Sequence, residues 1–379
     1  MWRNSKVTRY LSRIITRHAS SDINSSVAAA YAKGDTRLDP VNVMPKSKYG
    51  GINTVSLLTG STMIGEQGAR FVKSLLQSSR VPVEVQVIEA GQDDEYFNSV
   101  LRNRTAVHVD NQADEQSKQK ALKICNDLDL YVLKTRTRSF PGFKCRFPGV
   151  DILMIGQNNM GIYNELEYSP VKGVVEALSV VSQKSIDKYL NYAFKAAVAA
   201  GRKRVTLINK AKEWPIVDGS MVAAAKRMHC PYKECLELEF MELDDAVSRL
   251  VTDPIYFDCL FASDRYATFL SSICSAVCGG SNLFSAVEIG DTHAVFKPLQ
   301  TKLSLTNYAT LSAYGIVSTI VDLFEHLGHK KCSDALWCEM LRTMDEGIRT
   351  KEFGGKDTGE YVICNIINQL RCQGYNQSK

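Results

Sequence analysis

Apolar and polar residues alternate along this chain in blocks that predict strands and helices in turn. Short apolar runs that end near a glycine or a turn predict buried strands at 52–60, 81–90, 131–135, 150–156, 204–210 and 257–263. Apolar residues at helical spacing predict helices at 65–79, 114–126, 189–201, 220–229, 269–280, 308–327, 335–348 and 360–370. The order strand, helix, strand from 52 to 90 predicts parallel pairing. The same alternation over the chain predicts an α/β fold with a largely parallel sheet.

The first 34 residues differ from the rest in charge. Six of the 46 basic residues and one of the 41 acidic residues fall there, which leaves 40 of each elsewhere, so the formal charge of +5 belongs to this segment. It gives no reason to expect nucleic acid or an anionic membrane as a partner. No apolar run reaches the length of about 18 residues that predicts a membrane span.

The same N-terminal segment has the pattern of a mitochondrial transit peptide. Its apolar residues recur at helical spacing opposite four basic residues, and no acid precedes Asp22. We expect 1–45 to comprise a transit peptide and linker, and the matrix to be the destination; the alternative is a disordered basic tail. Eleven scattered cysteines show no paired framework and are expected to be free thiols in that reducing compartment.

Further along, five segments occur in an order that resembles the isocitrate/isopropylmalate dehydrogenase family. They are NTVSLLTG to GE near 53–66, DLYVLKT to SFPGF at 129–143, VDILMIGQNNMGIYNELEY at 150–168, and the stretches 173–211 and 253–280. The resemblance runs from about Gly50 to Leu370. Within the family, the long middle stretch is most similar to the regulatory subunits of mitochondrial NAD-dependent isocitrate dehydrogenase, the gamma type rather than the beta type.

The resemblance implies two α/β domains around a cleft. It predicts a large domain from residues 50–138 with 279–379, and a small domain from 139–278 that carries the dimer contacts.

Oxidative decarboxylation in this family needs groups that the chain lacks at the matching positions. The three arginines that hold substrate carboxylates fall on Cys125, Thr135 and Gly156. The two aspartates that a catalytic subunit gives to its own metal ion fall on Thr268 and Ser272. Neutral hydroxyls do not replace carboxylates on a hard divalent cation, so we expect the chain's own site to be inactive.

The nucleotide-binding features are also incomplete. The family's glycine-rich loop reads as Gly60 to Glu66 with two glycines and the aspartate replaced. Its His-Gly-Thr-Ala-Pro-Asp loop has no counterpart, and Gln300 stands at the histidine position. We therefore expect no cofactor bound by this chain itself, and Mg or Mn with NAD in a partner catalytic subunit.

Three residues with chemistry survive. Lys210 and Asp244 match the lysine and the third aspartate that, in the family, one subunit lends to its neighbour's site, as proton-transfer group and metal ligand. Tyr163 matches the family tyrosine that moves a proton in its own chain. The alternative is that Lys210 and Asp244 form an ordinary surface salt bridge.

Three further residues are candidates for binding an effector. Arg136 lies beside one substrate-arginine position, Asn158 is retained from the family motif, and Arg146 matches an arginine of the regulatory subunits, although Cys145 replaces the threonine before it. The resemblance implies citrate or an adenine nucleotide as ligand. The alternative for Arg146 is a solvated loop residue.

Three functions remain open at this point. The first is a non-catalytic subunit beside a catalytic isocitrate dehydrogenase subunit. The second is a diverged paralogue that acts as a binding or scaffold protein outside that complex, which the altered segment at 60–66 favours. The third is an active stand-alone dehydrogenase. Co-purification separates the first two, and turnover by the isolated chain would establish the third.

Overall fold

A computed structural model of the chain describes residues 48–49, 51–59, 63–89, 93–109, 115–140, 143, 145–158, 161–299 and 311–372. The predicted transit peptide and linker at 1–45, the first three residues of the altered glycine-rich loop (60–62) and Gln300 lie outside these residues. Among the described helices, none has both the length and the apolar character needed to cross a membrane.

Thirteen strands are described, and they confirm every strand predicted from the sequence. They are β1 (Lys48–Tyr49), β2 (Ile52–Thr59), β3 (Val83–Glu89), β4 (Thr105–His108), β5 (Val132–Arg138), β6 (Asp151–Gln157), β7 (Gly161–Val171), β8 (Val174–Val180), β9 (Arg204–Asn209), β10 (Glu237–Glu242), β11 (Cys259–Ala262), β12 (Ser285–Ile289) and β13 (Ala294–Pro298). The sequence patterns had not indicated β1, β4, β7, β8, β10, β12 or β13.

Ten α-helices are described between and after these strands. They are α1 (Met63–Ser79), α2 (Asp93–Asn103), α3 (Glu115–Asp127), α4 (Gln183–Ala199), α5 (Val217–Met228), α6 (Leu243–Thr252), α7 (Asp264–Val277), α8 (Ala313–Leu327), α9 (Lys330–Asp345) and α10 (Gly359–Cys372). All eight predicted helices are present, with ends that differ by several residues. Helix α8 ends at Gly328, which adopts the left-handed conformation, as a glycine after the last apolar residue predicts.

The described chain divides into two compact units. The central unit contains residues 131–138 and 149–277, and the terminal unit contains the described parts of 44–130, 139–148 and 278–379. Residues 131–138 were assigned to the large domain from the sequence. They group with the central unit because β5 pairs with β6 along its whole length.

The sheet of the central unit has the strand order β5-β6-β11-β9-β10. Strands β6, β11, β9 and β10 run parallel, and β5 is antiparallel to β6. Aromatic side chains of helix and strand fill its core, where Phe194 stacks on Tyr232 and meets Phe261 edge-on. Strands β7 and β8 form a separate two-stranded antiparallel ribbon.

The sheet of the terminal unit has the order β3-β2-β4-β13-β12. Strands β3, β2, β4 and β13 run parallel, which confirms the pairing predicted from 52–90, and β12 is antiparallel to β13. The short β1 is antiparallel to β2. One buried polar side chain is His108 at the end of β4, where burial lowers its pKa to about 3, so it is neutral at physiological pH.

Candidate functional site

Lys210 and Asp244 lie side by side at the carboxyl ends of two neighbouring parallel strands. Strand β9 ends at Asn209, which pairs with Glu242 at the end of β10. Lys210 follows β9 directly, and Asp244 lies in the first turn of α6, which follows β10. Their Nζ and Oδ2 atoms are 3.0 Å apart. The strand register thus brings together two residues that are distant in the sequence.

This ion pair is at the surface of the central unit. The side chain of Asp244 is 77% exposed and that of Lys210 is 25% exposed. The hydrogen bond from the amine to Asp244 raises the pKa of Lys210 above its usual value, so the amine is a cation at neutral pH. A second pair, Lys212 with Glu242 at 2.8 Å, lies beside it. Two lysine–carboxylate pairs therefore occupy this strand end, of which only one matches family positions.

Gly156 lies near the end of β6, and the space for a side chain there is filled. A Cβ atom built on Gly156 would come within 2.4 Å of the Cβ of Ala267 on α7. Real Cβ atoms do not approach so closely, and the contacting atom is not the end of a flexible side chain. An arginine at this position would require α7 to move. The sequence indicated that this position carries no charge, and the structure adds that α7 packs directly against it.

The other two positions of the family's substrate arginines are also buried and uncharged. Cys125 is 4% exposed on α3, in an apolar cluster of the terminal unit, and its thiol donates to the carbonyl of Leu130 at 3.6 Å. Thr135 is 1% exposed on β5 in the central unit. Neither position offers a cation to a carboxylate ligand.

Thr268 and Ser272, at the positions of two metal aspartates, lie on the exposed face of α7. The hydroxyl of Ser272 donates to the carbonyl of Thr268 at 3.0 Å, a bond within the helix itself. Phe269, between them on that face, is 55% exposed. Within the described ranges, no group of three or more His, Cys, Asp or Glu side chains is placed to hold a metal ion. The described residues therefore do not fit a divalent cation held by this chain alone.

Arg136 is engaged in the sheet of the central unit. Its guanidinium donates two hydrogen bonds to Asp151 on the paired strand, at 3.1 and 3.0 Å, and Arg202 also pairs with Asp151 at 2.8 Å. Burial disfavours the carboxylate, but the charges of Arg136 and Arg202 outweigh that effect and hold the pKa of Asp151 well below its usual range. Arg136 therefore serves first as a structural cation.

The remaining candidates belong to different parts of the described structure. Asn158 is buried in the central unit, and its backbone N–H donates to the carbonyl of Tyr131 at 2.9 Å. Arg146 belongs to the terminal unit, is exposed, and lies 5.1 Å from the ring of Phe147. Tyr163 lies in β7 of the ribbon, and its side chain is outside the described part of the structure.

The sequence patterns also failed to indicate the ribbon and two neighbours of Lys210. The ribbon had one signal, Lys172-Gly173 between β-branched residues, which is typical of a tight hairpin turn; Gly173 has φ +88. Asp218 accepts a hydrogen bond from the backbone N–H of Lys210, and Tyr266 donates one to Asp218. Their spacing along the chain gives no signal, because only the fold brings them together.

The fold defines an α/β protein built on largely parallel strands, with a lysine–carboxylate pair at the carboxyl ends of β9 and β10. The model of the isocitrate/isopropylmalate dehydrogenase family matches residues 95–370, and the chain belongs to that family.

Relatives and solved structures agree with this membership. The chain is 30% identical over 349 residues to the probable mitochondrial NAD isocitrate dehydrogenase gamma 2 of Mus musculus, covering 86% of each protein. It is 28% identical to the mitochondrial NAD isocitrate dehydrogenase subunit 1 of Ajellomyces capsulatus, covering 97% of this chain and 98% of that protein. The crystal structure of isocitrate dehydrogenase from Methylococcus capsulatus superposes with a TM-score of 0.76 at 19% identity, covering 84% of this chain and all of that one. The last comparison establishes the fold alone.

Proposed function

We propose that this chain is a non-catalytic, regulatory subunit of a mitochondrial NAD-dependent isocitrate dehydrogenase, acting in the matrix beside a catalytic subunit. The names of its relatives support the complex and the compartment. In this proposal the partner holds NAD and Mg or Mn. The chain supports the oxidative decarboxylation of isocitrate to 2-oxoglutarate in the tricarboxylic acid cycle without performing it in its own cleft.

The observation that carries the proposal is the exposed ion pair of Lys210 and Asp244. The Nζ atom of Lys210 and the Oδ2 atom of Asp244 are 3.0 Å apart on the surface of the central unit. By contrast, Gly156 and Thr268, which the resemblance aligns with a substrate position and a metal position, carry no charge. A lysine amine is suited to moving a proton, and a carboxylate to a hard divalent cation. Placed against a neighbouring subunit, Lys210 would exchange a proton with the substrate and Asp244 would supply one metal ligand.

A matched pair of variants tests this role. The chain is co-expressed with the catalytic subunit, and kcat is compared for wild type, Lys210→Ala and Lys212→Ala. We expect the first variant to lose on the order of 10²–10⁴-fold, as deletion of a proton-transfer group does. Lys212→Ala removes a neighbouring lysine from a similar pair, and we expect it to stay within about twofold, since exposed pairs contribute little. Unchanged turnover and metal dependence in Lys210→Ala would exclude the lending role.

The ribbon of β7 and β8 supports a macromolecular partner. Seven large apolar side chains on it are more than 40% exposed: Leu166, Tyr168, Val171, Val174, Val175, Leu178 and Val180. An isolated two-stranded hairpin is marginally stable in water, and exposed apolar side chains concentrated on one element are typical of a protein interface. A second polypeptide packed on the ribbon would account for both features.

Assembly is tested by substitution on the ribbon. Val175 is 72% exposed, and Ile255, outside the ribbon, is 54% exposed. We expect Val175→Asp to reduce co-purification with the catalytic subunit at least tenfold, because a charge would be desolvated in the interface, and Ile255→Asp to leave it unchanged. A wild-type chain that purifies from mitochondria alone would instead favour the paralogue acting as a scaffold outside the complex.

An effector, citrate or an adenine nucleotide, completes the proposal. Arg146 is the candidate cation for it, because its side chain is exposed whereas Arg136 is paired with Asp151. Isothermal titration of citrate into the assembled complex, for wild type and Arg146→Leu, tests the idea. We expect heat and activation in wild type and a loss of at least tenfold in affinity in the variant. The absence of both signals in wild type would remove citrate as an effector.

A further inference from the structure

Lys210 lies in a loop, yet both polar groups of its backbone are hydrogen-bonded within the chain. Residues 210–216 join β9 to α5 without regular structure. The N–H of Lys210 donates to Asp218 Oδ2 at 2.7 Å. Its carbonyl accepts from the N–H groups of Glu213 and Trp214, at 3.1 and 2.8 Å. Both backbone polar groups of Lys210 therefore have partners within the chain.

Asp218 is the centre of this arrangement. It lies in the first turn of α5 and is 3% exposed. The same Oδ2 atom that binds Lys210 also accepts from the hydroxyl of Tyr266 on α7, at 2.9 Å. A buried carboxylate is costly unless it is hydrogen-bonded, and these two donors, together with the favourable field at a helix N-terminus, meet that need.

Tyr266 connects Asp218 to a second helix. It is 6% exposed, and burial, followed by the charge of Asp218, raises the pKa of its hydroxyl. The hydroxyl thus remains protonated and donates at all physiological pH values. The preceding residue, Arg265, lies 4.5 Å above the ring of Trp214, at the far end of the loop. Helix α7 therefore holds the loop of Lys210 at two points.

We infer that Asp218, held by Tyr266, is a positioning residue that fixes where Lys210 presents its amine to the neighbouring subunit. Asp218 touches the backbone of Lys210 and not the amine. The Nζ atom then reaches Asp244 from a fixed Cα, so the two groups are presented together. This inference rests on the proposed function, because it assigns Asp218 and Tyr266 to the site that Lys210 and Asp244 would complete.

The first test compares two tyrosines in the assembled complex. Tyr266→Phe removes the hydroxyl on Asp218. Tyr256→Phe removes a hydroxyl that donates to Glu239 at 2.7 Å in the same unit, away from Lys210. We expect Tyr266→Phe to lower kcat by roughly 10- to 100-fold, as small misplacements of a reacting group do, with KM for isocitrate within about twofold. Tyr256→Phe should match wild type.

Two further variants identify the route of the effect. In a Lys210→Ala background, Tyr266→Phe should cause no additional loss, because Tyr266 acts only through Lys210. Asp218→Asn keeps an acceptor oxygen and should retain more activity than Asp218→Ala. An equal loss from Tyr266→Phe with and without Lys210 would overturn the inference, since the tyrosine would then act through overall structure.

The second test needs no partner and separates this inference from the proposed function. Hydrogen exchange of the Lys210 backbone N–H is followed by NMR in the isolated full-length chain. That N–H donates to Asp218 at 2.7 Å, so loosening Asp218 in Tyr266→Phe should speed its exchange at least about tenfold, and Tyr256→Phe should not. Unchanged exchange would refute the positioning role. Faster exchange combined with normal turnover in Lys210→Ala would refute the lending role and leave the positioning of Lys210 established.

Discussion

Two sets of residues in the central unit, both selected by the resemblance to the family, differ in charge. At Gly156, Thr268 and Ser272 the charges expected of a catalytic subunit are absent, Ala267 occupies the space beside Gly156, and Ser272 bonds to its own helix. At Lys210 and Asp244 the charges remain, paired and exposed. Under the proposed function, the reason for the exposed pair is separate from the chain's own site.

Stability does not supply that reason. Ion pairs at the surface contribute about 0–1 kcal/mol, and Asp244 is 77% exposed. By contrast, the bidentate pair of Arg136 and Asp151, with side chains 20% and 15% exposed, connects two strands of the sheet. The pair of Arg136 and Asp151 therefore stabilises the fold, whereas loss of the pair of Lys210 and Asp244 would change the free energy of unfolding little.

The largest expected effect concerns Asp244. Asp244 and Asp245 are both exposed acids in the first turn of α6, so Asn at either position removes the same charge from a helix N-terminus. In the complex, we expect Asp244→Asn to lower turnover at fixed metal by on the order of 10²-fold, and to raise the Mg or Mn concentration that gives half-maximal activity. Asp245→Asn should resemble wild type. Equal metal titrations for the two variants would remove the distinction drawn above.

The next effect concerns the packing at Gly156. Gly156→Ala places a Cβ 2.4 Å from that of Ala267, and overpacking of this kind costs about 1–3 kcal/mol in the free energy of unfolding. Ala267→Gly makes room, although glycine within a helix costs about 1 kcal/mol itself. Denaturant unfolding of both single variants and the double variant measures the coupling. We expect the double variant to be more stable than the sum of the two losses; simple additivity would show that the two residues do not compete for space.

A third prediction compares the two candidate arginines. Arg136→Leu leaves Asp151 with the cations Arg202 and Arg138, and we expect a loss of about 1–3 kcal/mol. Arg146 is exposed, and Arg146→Leu should stay within about 0.5 kcal/mol. The pKa of Asp151 is lowered by folding, so its contribution is complete above the unfolded value of about 3.9 and is lost progressively as the pH falls from there towards the folded pKa. Stability measured from pH 6 down to about pH 2 should therefore fall less steeply at the acid end in Arg136→Leu. An identical pH dependence would show that Arg136 does not hold this carboxylate ionised.

The sequence allowed the alternating fold and the missing charges to be predicted, because both depend on residue type and short spacing. Strand β9 is a buried apolar run, and Thr268 cannot be a carboxylate in any conformation. The sequence did not indicate that Ala267 fills the space at Gly156 or that Asp218 and Tyr266 hold the backbone of Lys210. Those contacts join separate helices and strands, and no local pattern encodes which side chains meet. The ribbon was missed because both its faces are exposed, which removes the alternation of buried and exposed residues that identifies a strand.

The smallest expected effect is that of restoring two carboxylates. It tests whether the absence of metal ligands alone would keep the chain's own site inactive. Thr268→Asp and Ser272→Asp restore two carboxylates on an exposed face of α7, where like charges one helical turn apart cost about 0.2–0.5 kcal/mol. The double variant should therefore fold normally. We expect it to show no turnover with isocitrate, NAD and Mg or Mn in the isolated chain, because Gly156 and Thr135 still supply no cation for the substrate carboxylates. Measurable turnover would mean that the two carboxylates alone restore activity to the chain's own site. Gly156 and Thr135 would then not prevent catalysis, and the contrast with Lys210 and Asp244 would be weaker than drawn above.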